Sequence, residues 1–167
     1  FQIWLNLPAD DKLVDPYFTM LWAEDIPRVV RTDDHGHTAE LTVIAGAVEG
    51  ITPPQPPPSS WASRPESDLA IWHLALDAGA AWELAPAAGA DTVRTVYVFE
   101  GDGLSIGGHE VPGNTGALAR CDQPVTVTAE HGPAEVLVLQ GRPIGEPVSR
   151  YGPFVMNTES ELEQAFA

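Results

Sequence analysis

Between Asp68 and Gly141 short β-branched and apolar runs follow one another, each closed by Gly, Pro, Asp or Asn. The runs are DLAIWHLAL, TVRTVYVFEG, LSIGGHEV, GALARC, PVTVTAEHG and AEVLVLQG. Strands at a spacing of roughly ten residues with turn signals between them predict an all-β sandwich or barrel. In the first run Ala70, Trp72, Leu74 and Leu76 fall on one face, because alternate residues of a strand point to the same side. Leu104-Ser-Ile followed by Gly107-Gly108 predicts a hairpin, and Glu130-His-Gly-Pro133 predicts another turn. No sequence repeat is found within the chain.

A chain of 167 residues, 44% of them hydrophobic, is long enough to bury a sizeable core. No stretch reaches the ~18 consecutive apolar residues of a membrane helix, and the opening FQIWLNLPADD lacks the basic and apolar regions of a signal peptide. The lone cysteine, Cys121, excludes an internal disulfide and a Cys-rich zinc site. It reads as strand packing and fits a reducing, cytoplasmic location. The formal charge of −16 comes from 24 acidic against 8 basic residues, the latter scattered singly. Such a field repels phosphate backbones, so no direct nucleic-acid binding is expected, and any regulatory role would act through a protein partner.

The flanks of the β-rich region are distinct. In Phe1–Leu7 the residues Phe1, Ile3, Leu5 and Leu7 alternate with Gln2, Trp4 and Asn6, which predicts a strand. A strand at residue one suggests that an upstream segment has been removed or lies on another chain. An acidic, Pro-bearing stretch runs from Pro8 to Arg31, and Leu41–Ile51 begins as a second β-branched run. Thr52–Pro58 carries five prolines, which are too stiff and donor-poor for a sheet centre. We read it as an extended loop and not a domain linker. At the end Thr158-Glu-Ser-Glu161 forms a capping box, with Leu162 and Phe166 on one helical face. A helix of ~9 residues is unstable alone and needs a surface to dock on.

The run from Gly141 to Thr158, GRPIGEPVSRYGPFVMNT, followed by an acidic helix ending in Gln164-Ala-Phe166, resembles the C-terminal signature of the pirin family. FQIWLNLP, AEDIPRV (Ala23–Val29) and VYVFEG (Val96–Gly101) resemble family segments in the same order. The resemblance spans essentially the whole chain and implies a cupin-type jelly-roll β-barrel with a short C-terminal α-helix. It divides the chain into an inter-cupin segment with first strands (1–51), a Pro-rich loop (52–67), a C-terminal cupin barrel (68–148) and a signature tail with its helix (149–167). Intact pirins pair two such barrels, and the first holds an iron-class metal on three His and one Glu. Some members oxidise flavonols such as quercetin, and others are transcriptional co-regulators.

A cupin metal site needs two His as H-x-H on one strand, a Glu shortly after, and a third His on a later strand. At the corresponding position this chain reads Ala80-Ala-Trp-Glu-Leu84, with Trp82 and Leu84 inward, and Gly116–Val125 offers no His. No metal or cofactor is therefore expected in this chain, whereas iron or another divalent metal is expected in an N-terminal cupin that the chain lacks. His35-Gly-His37 with Glu40 imitates the pattern. We read it as a polar hairpin turn, with a displaced metal site as the alternative. His73 reads as a surface strand residue, and His109 and His131 as solvated turn residues in no cluster. Glu100-Gly-Asp102-Gly103 reads as a turn rather than paired catalytic carboxylates. No G-x-S-x-G or P-loop occurs, and no catalytic residue is assigned.

The expected function is that of a non-catalytic cupin packed against the metal-bearing half. The resemblance implies that the tail lies against that half, with Tyr151, Phe154, Leu162 and Phe166 as interface residues. The partner would be that half, from the same gene or a separate chain, or a second copy of this chain; no membrane partner is expected. The alternatives are a piece of a metal-dependent flavonol 2,3-dioxygenase and a regulatory scaffold that binds another protein.

Overall fold

A computed structural model of the chain describes residues 1–166; Ala167, the last residue of the expected tail, lies outside them. Twelve strands are described: β1 (Arg28–Thr32), β2 (Thr38–Ala45), β3 (Ala70–Leu76), β4 (Ala81–Leu84), β5 (Val93–Glu100), β6 (Gly103–Ile106), β7 (His109–Pro112), β8 (Thr115–Ala119), β9 (Val125–Thr128), β10 (Ala134–Gly141), β11 (Ser149–Tyr151) and β12 (Phe154–Met156). One helix, α1 (Glu159–Ala165), follows them. Six strands form a sheet in the order β1-β2-β3-β10-β5-β8, and four form a second in the order β4-β9-β6-β7. Every pairing is antiparallel. β11 and β12 make a separate hairpin.

The two sheets share one core, and period-two alternation puts it there. Leu41, Val43, Trp72, Leu74, Val96, Val98, Val136 and Val138 of the larger sheet meet Trp82, Leu84, Leu104, Ile106, Val125 and Val127 of the smaller. In β3 the burial alternates strictly, so the face expected from the sequence is the core face. At the sheet centre Val136 of β10 lies opposite Leu74 on one side and Val98 on the other. Burying such side chains contributes roughly 1.5–3 kcal/mol each.

The opening segment corrects the sequence reading. Phe1–Leu7 joins no ladder, and both members of its alternation stay exposed, Phe1 and Ile3 as well as Trp4. Alternation marks a strand only where a sheet edge accepts the backbone. Here a side chain docks instead: the Phe1 ring stands edge-on to Tyr97 and Phe99 of β5, with centroids 6.0 and 4.8 Å away. Strand β1, by contrast, overlaps the end of the acidic, Pro-bearing stretch Pro8–Arg31, where the sequence gives no strand pattern. It is an edge strand exposed along nearly its whole length, so it carries no apolar alternation to detect.

The proline-rich loop joins β2 to β3, which are neighbours in the same sheet. It ends in two short 3-10 turns, Trp61–Ser63 and Pro65–Ser67, and the Trp61 indole anchors it by donating to the carbonyl of Arg142 at 2.9 Å. The Gly107-Gly108, Glu130–Pro133 and Gly101-Asp102 segments are turns, as their residues predict.

Candidate functional site

On β4, parity turns Trp82 and Leu84 into the shared core, where they are 2% and 1% exposed. The Arg31 guanidinium of β1 lies 4.2 Å above the centre of the Trp82 ring, a cation–π contact, and is itself paired with Glu49. The interior position of an H-x-H pair is thus filled by an indole and a leucine. The buried polar residues among those described are Ser67, Thr92, Arg94, Ser105 and Gln140, with no His, Cys, Asp or Glu. This interior does not fit a His- and Glu-ligated metal centre. Cys121 sits in the turn after β8, half-buried, its Sγ 3.7 Å from the Ala119 carbonyl, and not in a strand as its neighbours suggested.

His35 and His37 occupy the β1–β2 hairpin turn. One Asp33 oxygen accepts from the backbone N–H groups of His35 at 2.8 Å and His37 at 2.9 Å, and the other meets His37 Nδ1 at 2.9 Å. These bonds, the His37 backbone donor foremost, hold the Asp33 carboxyl below the usual carboxylate range. The His37 ring covers Gly79 so closely that a Cβ there would lie 2.9 Å from it. Glu40 instead pairs with Arg28 at 3.2 Å. The structure therefore gives His37 and Glu40 separate partners and does not bring His35, His37 and Glu40 together as a ligand set.

His73 lies on the outer face of β3, 2.7 Å from Glu135 of β10. His131 is exposed, as its turn position predicts, but the expectation that it stands apart from other ligand groups is corrected. Its Nε2 lies 3.1 and 3.2 Å from the two Glu110 oxygens. With Glu130 these form the group of potential metal ligands that converges among the described residues, all three exposed. Glu110 is on β7 and His131 follows β9, so no local spacing announces the trio.

The tail folds as its sequence predicts. The Thr158 hydroxyl accepts from the Glu161 backbone at 3.3 Å, and Glu161 accepts from the Thr158 backbone at 2.8 Å and from that of Asn157 at 2.9 Å. These bonds, the one with Thr158 first, hold the Glu161 carboxyl low. Helix α1 packs on the β11–β12 hairpin, and Leu162 is buried within the chain at 7% exposed. The Phe166 ring meets Phe154 at 4.8 Å and Tyr151 at 5.8 Å. Tyr151 and Phe166 remain 72% and 54% exposed. Glu146 ties this tail to the opening arm, accepting from the Ala9 backbone at 2.7 Å and from Asn157 Nδ2 at 2.6 Å. Along the arm Phe1, Trp4, Tyr17, Phe18 and Trp22 are also exposed, so the chain presents large aromatic side chains to solvent at both ends.

Comparison with known proteins matches residues 71–167 to the family described as the pirin C-terminal cupin domain. A pirin-like protein of Caulobacter vibrioides is 37% identical over 166 residues, covering 99% of this chain and 55% of that protein. A Pseudomonas aeruginosa protein provisionally named a quercetin 2,3-dioxygenase is 35% identical over 167 residues, covering 99% and 55%. The crystal structure of a quercetin 2,3-dioxygenase from Acinetobacter baumannii superposes with a TM-score of 0.80 at 31% identity, over 98% of this chain and 52% of that one. The chain spans about half the length of these relatives. With one filled two-sheet core, the signature tail and these matches, the chain belongs to the pirin family and carries its C-terminal cupin domain.

Proposed function

We propose that this chain is the non-catalytic, structural cupin of a two-cupin protein, its two sheets forming a jelly-roll barrel that packs against a metal-bearing N-terminal cupin. The observation that carries the reading is the interior: Trp82 and Leu84 fill the positions where a catalytic cupin would place histidines. The aromatic surface supports it. Phe1, Trp4, Tyr17, Phe18, Tyr151 and Phe166 are exposed aromatic side chains of the kind that a partner surface would cover. Tyr151 and Phe166, backed by Phe154 and Leu162, are the tail's contribution to that interface. The divalent metal, iron by the family's implication, belongs to the partner cupin. Native mass spectrometry on this chain produced together with the remainder of the protein tests the proposal. The expected species is a complex with one metal that departs with the other half. A monodisperse, metal-free monomer of this chain alone would sink the interface, and a metal retained by this chain would sink the division of labour.

A second reading concerns the whole protein: a metal-dependent dioxygenase acting on flavonols of the quercetin type, to which this chain contributes structure. The names carried by the Pseudomonas and Acinetobacter proteins support it. Flavonol turnover by the two-cupin protein, lost in chelator and restored by iron, is the expected result. Absence of turnover with metal bound would favour a regulatory scaffold. Among the described residues no helix is long and apolar enough to cross a membrane, and the single thiol supports a cytoplasmic location.

A further inference from the structure

Among the described residues Glu110, Glu130 and His131 bring their ligand atoms within 4.8 Å of one another. Strand parity turns Glu110 outward on β7, because its neighbour Val111 is buried in the core. The β6–β7 ladder fixes Glu110 opposite Ser105, and Ser105 in turn lies opposite Thr128 of β9. Glu130 and His131 come just after β9, and their backbone starts from a pinned point. The Ala129 N–H donates to the Ala80 carbonyl at 3.0 Å, and the Ala129 carbonyl accepts from Gly79 at 2.7 Å. Ala129 itself is fully buried. The ladder and this anchor bring the three side chains to one spot on the outer surface of the smaller sheet.

No other partner competes for them. Among the described residues neither Glu110 nor Glu130 pairs with a Lys or Arg, and His131 meets only Glu110. Two carboxylates thus stand side by side in a chain of net charge −16 with no fixed cation between them. The imidazole contact also differs from the other histidine–carboxylate pairs. His73 and His37 each approach one carboxylate oxygen, at 2.7 and 2.9 Å, the usual length of a charge-assisted hydrogen bond. His131 Nε2 instead stands astride both Glu110 oxygens, at 3.1 and 3.2 Å. A tetrahedral zinc ion holds its nitrogen and oxygen ligands about 2.0–2.2 Å away, which sets them ~3.3–3.5 Å apart. The spacing therefore approaches that of ligands sharing an ion. One imidazole with two carboxylates suits a zinc-type ion, whereas Mg²⁺ takes oxygen ligands and dehydrates reluctantly.

We infer that Glu110, Glu130 and His131 bind a divalent transition-metal ion of the zinc type at an exposed, exchangeable site, its remaining position open to water. The site is separate from the filled interior. An ion taken up there from solution is not a metal retained through purification, so the inference stands or falls independently of the structural role proposed above. The test titrates ZnCl₂, or MgCl₂ as the control, into the EDTA-treated full chain at constant ionic strength and follows the histidine ring signals by NMR. The first equivalent of zinc is expected to shift the His131 ring signals saturably, and magnesium to leave them unmoved. Because all three side chains are exposed, Glu110→Gln and Glu130→Gln should fold as the wild type does, which unchanged amide spectra verify. Each is expected to weaken the His131 response by about tenfold or more, the scale that even groups behind the ligands carry. His35→Asn, in the β1–β2 turn, should leave it unchanged. A His131 signal unmoved by zinc would reduce the trio to a hydrogen-bonded pair beside a free acid and overturn the inference. Equal zinc responses in the wild type and both Gln variants would assign the ion to the imidazole alone and overturn it too.

Discussion

Trp82→Ala is the sharpest test of the filled interior. A tryptophan buries roughly 150–250 Å², and at about 25 cal/mol per Å² that corresponds to ~4–6 kcal/mol. Alanine keeps the Cβ, so the expected loss lies near 3–5 kcal/mol, the usual cost of removing a large aromatic from a core. Against a typical domain stability of about 5–15 kcal/mol, much of the folded population's margin disappears. The contact with Arg31, half-exposed at its guanidinium end, should add ~0.5–1 kcal/mol of coupling in a Trp82–Arg31 double-mutant cycle. Urea unfolding followed by far-UV circular dichroism measures each variant, with Leu118→Ala as a control because Leu118 is exposed on β8. The control should stay within about 0.5 kcal/mol of wild type. If Trp82→Ala lost less than ~1 kcal/mol, the interior would have slack around the indole, and the argument that it is too full for a metal centre would fail.

Thr158→Ala removes the hydroxyl half of the capping box and should cost about 1 kcal/mol, read as faster amide exchange in Glu159–Ala165. Gly46→Ala should cost more than ~2 kcal/mol by thermal unfolding. Its φ is +76°, a Cβ would lie 2.2 Å from the Leu69 carbonyl oxygen, and its own carbonyl accepts from the Trp72 indole at 3.0 Å. Asp33 and Glu161 bind protons less readily folded than unfolded, so what they contribute is fully present above the ordinary values of 3.8 and 4.5. It is lost as pH falls through the depressed folded values. Carboxyl carbon titration by NMR should place both midpoints below those ordinary values, and midpoints at or above them would contradict the turn and capping geometry.

Much of the fold was legible because it depends on local periodicity. Alternation in β3 named the inward residues Trp72 and Leu74, the family resemblance placed Trp82 and Leu84 inward on β4, and glycines marked the β6–β7 hairpin. Thr158 and Glu161 specify their helix start within one turn of chain, and Asp33 organises the His35–His37 turn within five residues. Each of these is a short-range arrangement that a residue and its near neighbours determine.

What the tertiary structure decided involves partners distant in sequence. Phe1–Leu7 alternates like a strand, yet no sheet edge receives its backbone, and only the folded chain sets Phe1 on Tyr97 and Phe99. Edge strand β1 was invisible because its core-side positions are Val29 and Arg31, which make no apolar alternation. His131 meets Glu110 across 21 residues, and Arg94 meets Gln140 across 46. An arginine in a strand reads as a surface residue until the fold closes over it. The sequence determined which faces are apolar, since that follows from strand parity. Which polar groups end up buried followed only from how the sheets and loops enclose them.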